Sequence, residues 1–232
     1  MTSNDLDHLK KAAALKAVEF VHDGMIVGLG TGSTAKHLLV ALGERVQAGM
    51  RIRGVPTSQE TAALARDFGI PLIDAEHQWE IDVAIDGADQ VDPDFNLIKG
   101  GGGALLKEKI VASSARQFIV MVDHTKQVPT LGGSFPLPIE IIPFGWGSTA
   151  RTIEALTKSR VVLRERNGTP FKTEAGHLIV DVHIRRIDRP GELEIALNLI
   201  PGVVETGLFV GRTSTVIVGT LHGVHTLHAP GK

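Results

Sequence analysis

Cysteine is absent from this 232-residue chain, and aromatic side chains make up only 4% of it. Without cysteine the protein has no disulfide, no thiolate nucleophile, no iron–sulfur cluster and no cysteine zinc site. Long apolar runs are also missing, and the first residues carry no basic region followed by an apolar stretch. We therefore expect a soluble, cytoplasmic protein with no membrane partner.

Excess charge of one sign is missing as well, because the formal net charge is −2. Such a balance gives no electrostatic field that would attract nucleic acid, so we expect no nucleic-acid partner. The hydrophobic content of 43% is enough for an ordinary buried core, and the length allows one or two domains.

The first half of the chain alternates between strand-like and helix-like apolar patterns. The predicted elements are helices over 6–20, 35–46, 58–69 and 104–115, and strands over 25–28, 52–55, 71–73, 81–85 and 118–122. This alternation predicts an α/β fold, with a Rossmann-like, mostly parallel sheet covered by helices on both faces. Ligands of such sheets bind at the carboxyl ends of the strands.

The pattern changes near residue 136. The predicted order there is strand 139–142, helix 148–158, strand 160–165, strand 177–183, helix 191–199 and strand 203–209. This β-α-β-β-α-β order, with an Asn167-Gly168 turn, is typical of a ferredoxin-like α+β module. We predict a larger Rossmann-like catalytic domain over 1–135 and 212–232 and a smaller domain over 136–211, with the strand 213–218 returning to the first sheet.

The first glycine-rich loop runs from Gly28 to Thr34 between a strand and a helix. Its spacing is G-x-G-x-G, Ser33 stands at the third glycine position of a dinucleotide motif, and no acidic residue ends the next strand. The Gly-Lys-Ser/Thr of a nucleotide phosphate loop is also missing. Backbone N–H groups at the helix start, including that of Gly32, and the hydroxyls of Thr31, Ser33 and Thr34 suit one phosphate monoester. A tight turn capped by these hydroxyls is the alternative interpretation.

The second loop, Asp86-Gly87-Ala88-Asp89, places carboxylates at the carboxyl end of an apolar strand. Such groups bind hydroxyls, and the sequence that follows lacks the glutamate that would complete a calcium loop. A solvated acidic turn is the alternative.

The third loop contains four consecutive glycines after Lys99, Gly100-Gly101-Gly102-Gly103, and is followed by a helix that carries Glu108. Four glycines are costly to order, which favours close approach of the backbone to a ligand. Glu108 lies three residues after Leu105 and four before Ala112, so we predict that it is buried and leans back toward the glycines. A first-turn glutamate favoured by the helix dipole, with solvated Lys107 and Lys109, is the alternative.

Three histidines recur at intervals of three, His222, His225 and His228. In a strand this spacing places successive side chains on opposite faces, so a structural role is favoured over a zinc site. We predict no metal site.

These motifs together resemble the ribose-5-phosphate isomerase A family. The resemblance rests on Thr31-Gly32-Ser33-Thr34, Asp86-Gly87-Ala88-Asp89, Lys99-Gly100-Gly101-Gly102, Glu108, and Lys126 in Asp123-His124-Thr125-Lys126. It extends over essentially the whole chain, although Gln90 stands where the family commonly has an acidic residue.

The resemblance implies interconversion of ribose 5-phosphate and ribulose 5-phosphate in the non-oxidative pentose phosphate pathway, without a cofactor. It implies that Glu108 is the proton acceptor, because one carboxylate can carry a proton between neighbouring carbons of an enediolate. Lys99 and the glycine N–H groups would stabilise the enediolate, and Asp86 and Asp89 would orient hydroxyls. Residues 31–34 would hold the phosphate together with Lys126, or with Lys10. A homodimer or homotetramer is expected on the same ground.

Two other functions stay open at this point. A non-enzymatic sugar-phosphate-binding regulatory module would keep the phosphate loop but would not need Glu108 or Lys99. An acyl or coenzyme A transferase on a related fold would use a glutamate as nucleophile rather than base.

Overall fold

A computed structural model describes residues 3–74, 76 and 78–229. The helices are α1 (Ser3–Val18), α2 (Ser33–Gln47), α3 (Gln59–Asp67), α4 (Leu105–Ser113), α5 (Trp146–Thr157) and α6 (Pro190–Asn198), with a 3-10 turn over His124–Lys126. The strands are β1 (Ile26–Leu29), β2 (Arg53–Pro56), β3 (Ile81–Asp86), β4 (Gln90–Val91), β5 (Leu97–Ile98), β6 (Ala115–Asp123), β7 (Leu137–Ile141), β8 (Val161–Leu163), β9 (Glu165–Arg166), β10 (Thr169–Pro170), β11 (Leu178–Val182), β12 (Val203–Thr206), β13 (Leu208–Phe209), β14 (Thr215–Thr220) and β15 (Gly223–His228). None of the helices in these ranges is long and apolar enough to cross a membrane.

The chain forms two compact units. The first is built from residues 1–88, 107–126 and 212–232, and the second from residues 89–106 and 127–211. The predicted domain limits differ from these units in two segments, 89–106 and 127–135, which belong to the second unit. The physical reason is strand pairing: β4 pairs with β5, β5 pairs with β13, and Val91 bridges to Gln127. The domain boundaries that we inferred from the sequence remain a prediction.

The first unit contains a six-stranded sheet in the order β15-β14-β6-β3-β1-β2. Its neighbouring strands are parallel except for the antiparallel pair β14–β15. The predicted α/β fold with a mostly parallel sheet is therefore confirmed, and β14 does return to this sheet. The hairpin partner β15 was not predicted.

Helices pack on both faces of this sheet because side chains alternate along its strands. Val27 and Leu29 of β1 point into one apolar cluster, together with buried residues of α1 and α2. Gly28 points to the other face, where a Cβ would lie 2.5 Å from Val111 Cγ1 of α4. The missing side chain of Gly28 lets α4 approach the sheet.

The second unit contains a four-stranded sheet in the order β12-β7-β11-β8, in which the neighbouring strands are antiparallel. Helix α5 joins β7 to β8 and helix α6 joins β11 to β12, which is the predicted ferredoxin-like arrangement. Its core includes Ile139, Ile141, Ile153, Val180 and Leu197. The Asn167-Gly168 turn is present, with positive φ values of 55° and 72°, but it closes the short β9–β10 ribbon.

Two predicted strands are different in the structure. Residues 71–73 contribute only an isolated bridge between Leu72 and Gly54. The predicted strand 203–209 divides at Gly207 into β12 and β13, which pair in different sheets. A Cβ on Gly207 would lie 2.3 Å from the Lys99 carbonyl oxygen, so this close crossing requires glycine and ends the first ladder.

Candidate active site

The carboxyl ends of β1, β3 and β6 lie beside one another, because these strands are parallel neighbours. The segment 30–34 follows β1, the segment 86–88 ends and follows β3, and the turn that contains Lys126 follows β6. The first unit thus brings together, at one edge of its sheet, three of the segments that the sequence singled out. This edge is where parallel α/β sheets bind ligands.

Asp86 is held rigidly at this edge. Its side chain is only 3% exposed, and its Oδ1 accepts hydrogen bonds from the N–H groups of Thr31 at 3.1 Å and Gly87 at 2.7 Å. Gly30 makes room for the carboxylate, since a Cβ there would lie 2.1 Å from Asp86 Oδ1. The carboxylate therefore ties the first loop to the second.

The hydroxyl of Thr31 belongs to a buried cluster of hydroxyl groups. Its Oγ1 lies 2.7 Å from Thr57 Oγ1, 2.9 Å from Ser58 Oγ and 3.1 Å from Thr61 Oγ1. Thr31 thus fixes the first loop to the start of α3.

The predicted hydroxyl cap of α2 is wrong. The N-cap residue is Gly32, with φ 104°, and no side chain forms a cap hydrogen bond there. Position 32 needs glycine for this left-handed backbone, so no hydroxyl can stand at the cap itself. Lys10 Nζ donates a hydrogen bond to Ser33 Oγ at 3.2 Å, which places an ammonium group at the start of this helix.

Glu108 is buried on α4, as its spacing predicted. It is 6% exposed, and Leu105, Val111 and Ala112 on the same helix are buried with it. Lys109 is buried too, at 3% exposure, which contradicts the alternative in which this lysine is a solvated neighbour. A carboxylate in such an environment is typical of a functional group rather than of a surface helix start.

In the second unit, Asp89 binds the glycine run directly. Its Oδ2 accepts a hydrogen bond from the N–H of Gly101 at 2.8 Å, and its own N–H donates to the Ile98 carbonyl. A Cβ on Gly101 would lie 2.8 Å from Asp89 Oδ1. Close approach to this carboxylate accounts for glycine at position 101.

The other glycines of the run differ in their surroundings. A Cβ on Gly103 would lie 2.5 Å from two ring atoms of Phe171, whereas a Cβ on Gly102 would meet no described atom within 4 Å. Packing on the protein itself therefore explains part of a run that the sequence attributed to a ligand. Gly102 is the position with open space beside it.

Lys99 lies in the same unit and is 3% exposed. Its N–H donates to the Gly207 carbonyl at 2.8 Å, and its Nζ lies 5.5 Å from the centroid of the Phe209 ring. The aromatic face favours the charged ammonium and restricts where it can point. Gln90, the departure from the family pattern, is buried and hydrogen-bonds Gly132 and Ser134 through its amide.

Sequence reasoning missed Arg164. Its Nη1 donates to the carbonyl oxygens of Gly100 at 2.8 Å and Gly101 at 3.2 Å. Two signals were available in the sequence: an arginine directly after the apolar strand β8, and a charged residue, Asp181, inside the apolar strand β11. The structure pairs these two side chains.

The three histidines near the carboxyl end belong to the last hairpin, β14–β15. His225 and His228 lie on β15, His222 lies in the turn before it, and His228 Nδ1 is 3.3 Å from Thr215 Oγ1. Within the described ranges, no group of three or more histidine, aspartate or glutamate side chains is arranged to hold a metal ion.

Known proteins resemble this chain over almost its whole length. The family model described as ribose 5-phosphate isomerase A (phosphoriboisomerase A) matches residues 53–223. Ribose-5-phosphate isomerase A of Gloeobacter violaceus is 52% identical over 224 residues, covering 96% of this chain and 97% of the relative. The solved ribose 5-phosphate isomerase A of Methanocaldococcus jannaschii is 42% identical with a TM-score of 0.91, covering 97% of this chain and 100% of that one. A D-ribose-5-phosphate isomerase solved in complex with phospho-erythronic acid is 43% identical with a TM-score of 0.93, covering 96% of this chain and 99% of that one.

Proposed function

This chain belongs to the ribose-5-phosphate isomerase A family and interconverts ribose 5-phosphate and ribulose 5-phosphate, and on this premise we propose that Glu108 is its base. The non-enzymatic sugar-phosphate-binding alternative is not favoured, because the relatives are named as isomerases. The observation that supports the role of Glu108 is its burial on α4 directly after the glycine run.

In the proposed reaction, Glu108 removes the proton from C2 of open-chain ribose 5-phosphate and the electron pair forms an enediolate across C1 and C2. The proton then returns to C1, and a proton moves from the C2 oxygen to the C1 oxygen, so that the aldehyde becomes a ketone. A single carboxylate on one face of the enediolate suffices for both transfers between carbon and base.

The remaining site residues hold and stabilise the substrate in this proposal. Lys99 and the N–H groups of Gly100, Gly101 and Gly102 stabilise the negative charge on the enediolate oxygens. Asp86, Gly87, Ala88 and Asp89 bind the sugar hydroxyls, and the two carboxylates assist the opening of the sugar ring. Their fixed hydrogen bonds support this role, because a preorganised carboxylate orients a hydroxyl without reorganisation.

We propose that the phosphate binds at the start of α2. The N–H groups of Gly32, Ser33 and Thr34 and the hydroxyls of Thr31, Ser33 and Thr34 are the proposed donors, because a helix N-terminus attracts an anion. The ammonium of Lys10 lies on Ser33, and Lys126 follows β6 at the same edge of the sheet, so both lysines are candidates.

Exchange of the substrate C2 proton with solvent tests the enediolate directly. We expect the enzyme in deuterium oxide to incorporate deuterium at C1 of ribulose 5-phosphate and at C2 of recovered ribose 5-phosphate, as followed by proton NMR. Isomerisation without any incorporation at either carbon would contradict a solvent-exchangeable carboxyl base and would favour a direct hydride shift.

Activity is expected to survive removal of divalent metals. The proposed charge stabilisation relies on Lys99 and backbone N–H groups, so excess chelator should change kcat by less than about twofold, within ordinary assay scatter. The measurement is the initial rate before and after dialysis against chelator. A loss that added magnesium or zinc restores would show that the acidic residues hold a metal.

We propose that the enzyme is a homodimer or homotetramer that associates through its second unit. Phe144 is 89% exposed. The residues that follow it in sequence line a groove of about 680 Å³, and they include Trp146, Ala150, Arg151 and Glu154. An exposed aromatic side chain beside a groove supports this proposal, because in a two-fold interface the side chain of each copy can enter the groove of the other.

Phe144→Ser is accordingly expected to weaken association by about 10-fold or more, since buried aromatic anchors dominate interfaces. Sedimentation velocity across a dilution series measures the shift, and Leu221→Ser is the control because Leu221 is also exposed but lies in the turn before β15. Unchanged assembly in the Phe144 variant would contradict the proposed interface.

We also propose a cytoplasmic location, because phosphorylated pentoses do not cross membranes unaided. Cell fractionation tests this location.

A further inference from the structure

The guanidinium group of Arg164 joins two parts of the second unit. On one side its Nε and Nη2 donate to Asp181 Oδ2 at 2.9 Å and Oδ1 at 2.5 Å. On the other side its Nη1 donates to the carbonyl oxygens of Gly100 and Gly101. The Arg164 and Asp181 side chains are 15% and 18% exposed, so this paired charge is largely shielded from water.

The sheet fixes the position of this arginine. Asp181 lies on β11 opposite Val162 of β8, and the Arg164 N–H donates to the Ile179 carbonyl at 2.8 Å. Val180 and Val182 beside Asp181 point into the apolar core, so alternation turns Asp181 to the other face of the sheet. A bidentate arginine–carboxylate pair on such a frame has little freedom to rotate.

Holding the two carbonyls also sets the direction of two N–H groups. In a trans peptide the N–H points opposite to the C=O of the same unit. The carbonyl of Gly100 is bound by Arg164, and the N–H of the same peptide unit, that of Gly101, donates to Asp89. The carbonyl of Gly101 is bound likewise, so the N–H of Gly102 points away from Arg164, at the glycine with open space beside it.

The positive charge of Arg164 has a second effect on these peptide groups. A cation on a carbonyl oxygen polarises the amide, and its N–H becomes a stronger hydrogen-bond donor. The hydrogen bonds from Arg164 also hold the glycine run in one conformation. This is needed because a run of four glycines loses more conformational freedom on folding than any other segment of that length. One guanidinium group thus affects both the donor strength of these peptides and the conformation of the run.

We propose that Arg164, oriented by Asp181, is a positioning residue of the isomerase, which aligns and polarises the glycine-run peptides that stabilise the enediolate. This rests on the proposed role of the glycine run, in which the N–H groups bind charge that develops during the reaction. Arg164 does not touch the substrate; it acts through the peptides of Gly100 and Gly101.

The test begins with Arg164→Lys, which keeps the charge but cannot bind both carboxylate oxygens and both carbonyls. We expect kcat to fall by about 10- to 100-fold, below the usual cost of removing a direct oxyanion donor, and KM to change little. Asp181→Asn should give a smaller fall of the same kind. The matched control is Arg166→Gln, two residues further on β9, where the guanidinium Cζ lies 4.8 Å from the centroid of the Phe171 ring.

A second readout separates positioning from structural support. Phospho-erythronic acid carries a carboxylate in place of the enediolate, so its inhibition constant should rise in parallel with the fall in kcat, whereas inhibition by inorganic phosphate should not change. Methylguanidinium added to Arg164→Ala should restore part of kcat. Wild-type kcat in Arg164→Lys, an equal loss in Arg166→Gln, or a loss of kcat with unchanged phospho-erythronic acid inhibition would overturn the proposal.

Failure of this inference is distinguishable from failure of the proposed base. If Glu108→Gln keeps its turnover while Arg164→Lys loses it, the base is wrong and the positioning role stands. If Glu108→Gln is inactive and Arg164→Lys is normal, the reverse holds.

Discussion

Replacing Glu108 by glutamine is expected to lower kcat by about 10³-fold or more, in the upper range of what general acid–base catalysis contributes. Glutamine has nearly the same size and stays within the buried site, but its amide cannot accept the C2 proton. Binding of phospho-erythronic acid should be retained within about 10-fold, because one hydrogen-bonding group replaces another. Steady-state kinetics and titration calorimetry measure the two quantities.

The control for this change is Glu60→Gln, the same substitution at an exposed glutamate in the first turn of α3. It should leave kcat unchanged. Circular dichroism melting of both variants checks that the fold is intact. Turnover of Glu108→Gln within tenfold of the wild type would exclude Glu108 as the base, and deuterium incorporation should then persist in the variant.

Gly30→Ala is the second substitution with a large expected effect. The added methyl would lie 2.1 Å from Asp86 Oδ1 and 2.7 Å from Asp86 Cα. The carboxylate cannot swing aside without losing the hydrogen bonds from the Thr31 and Gly87 N–H groups. We expect a loss of about 2–3 kcal/mol in the free energy of unfolding, as for overpacked core positions. Because Asp86 must move, kcat/KM should fall as well.

Urea unfolding and steady-state kinetics measure both effects. Gly191→Ala is the control, because its Cβ would meet only Val210 Cγ1 at 3.6 Å, an ordinary contact, near the start of α6. That variant should be as stable as the wild type or slightly more stable. If Gly30→Ala matched it in both stability and activity, the tight approach of Gly30 to Asp86 would be without consequence.

Local patterns predicted much of the fold. The apolar blocks around β1, β3 and β6 and the helical spacing on α1 and α2 predict the parallel sheet, because burial on both faces leaves a strong signal. The ferredoxin-like order followed from turn and capping residues. The two-residue strands β4 and β5 were not predicted, and the division of the predicted strand 203–209 could not be predicted either, since β13 pairs with β5 and Leu208 lies 110 residues after Ile98 in sequence.

The candidate site could be predicted where the residues that form it are close in sequence. Spacing on one helix predicted the burial of Glu108. Arg164 lies 64 residues from Gly100, and no local pattern relates an arginine after one strand to a carbonyl in a distant loop. The hydrogen bonds of the Thr31 hydroxyl could not be predicted for the same reason, because its neighbours Thr57, Ser58 and Thr61 belong to another helix start.

The order of strands in the large sheet also has a consequence for synthesis. Strand β14 pairs with β6, yet residues 215–220 leave the ribosome almost a hundred residues after 115–123. Until then β6 presents an unpaired edge with the apolar residues 118–122, which is a template for pairing with another chain. The segment 127–211 is translated during this interval. A nascent chain stalled there would expose this edge for longer, so the speed of translation through that segment bears on the yield of the enzyme.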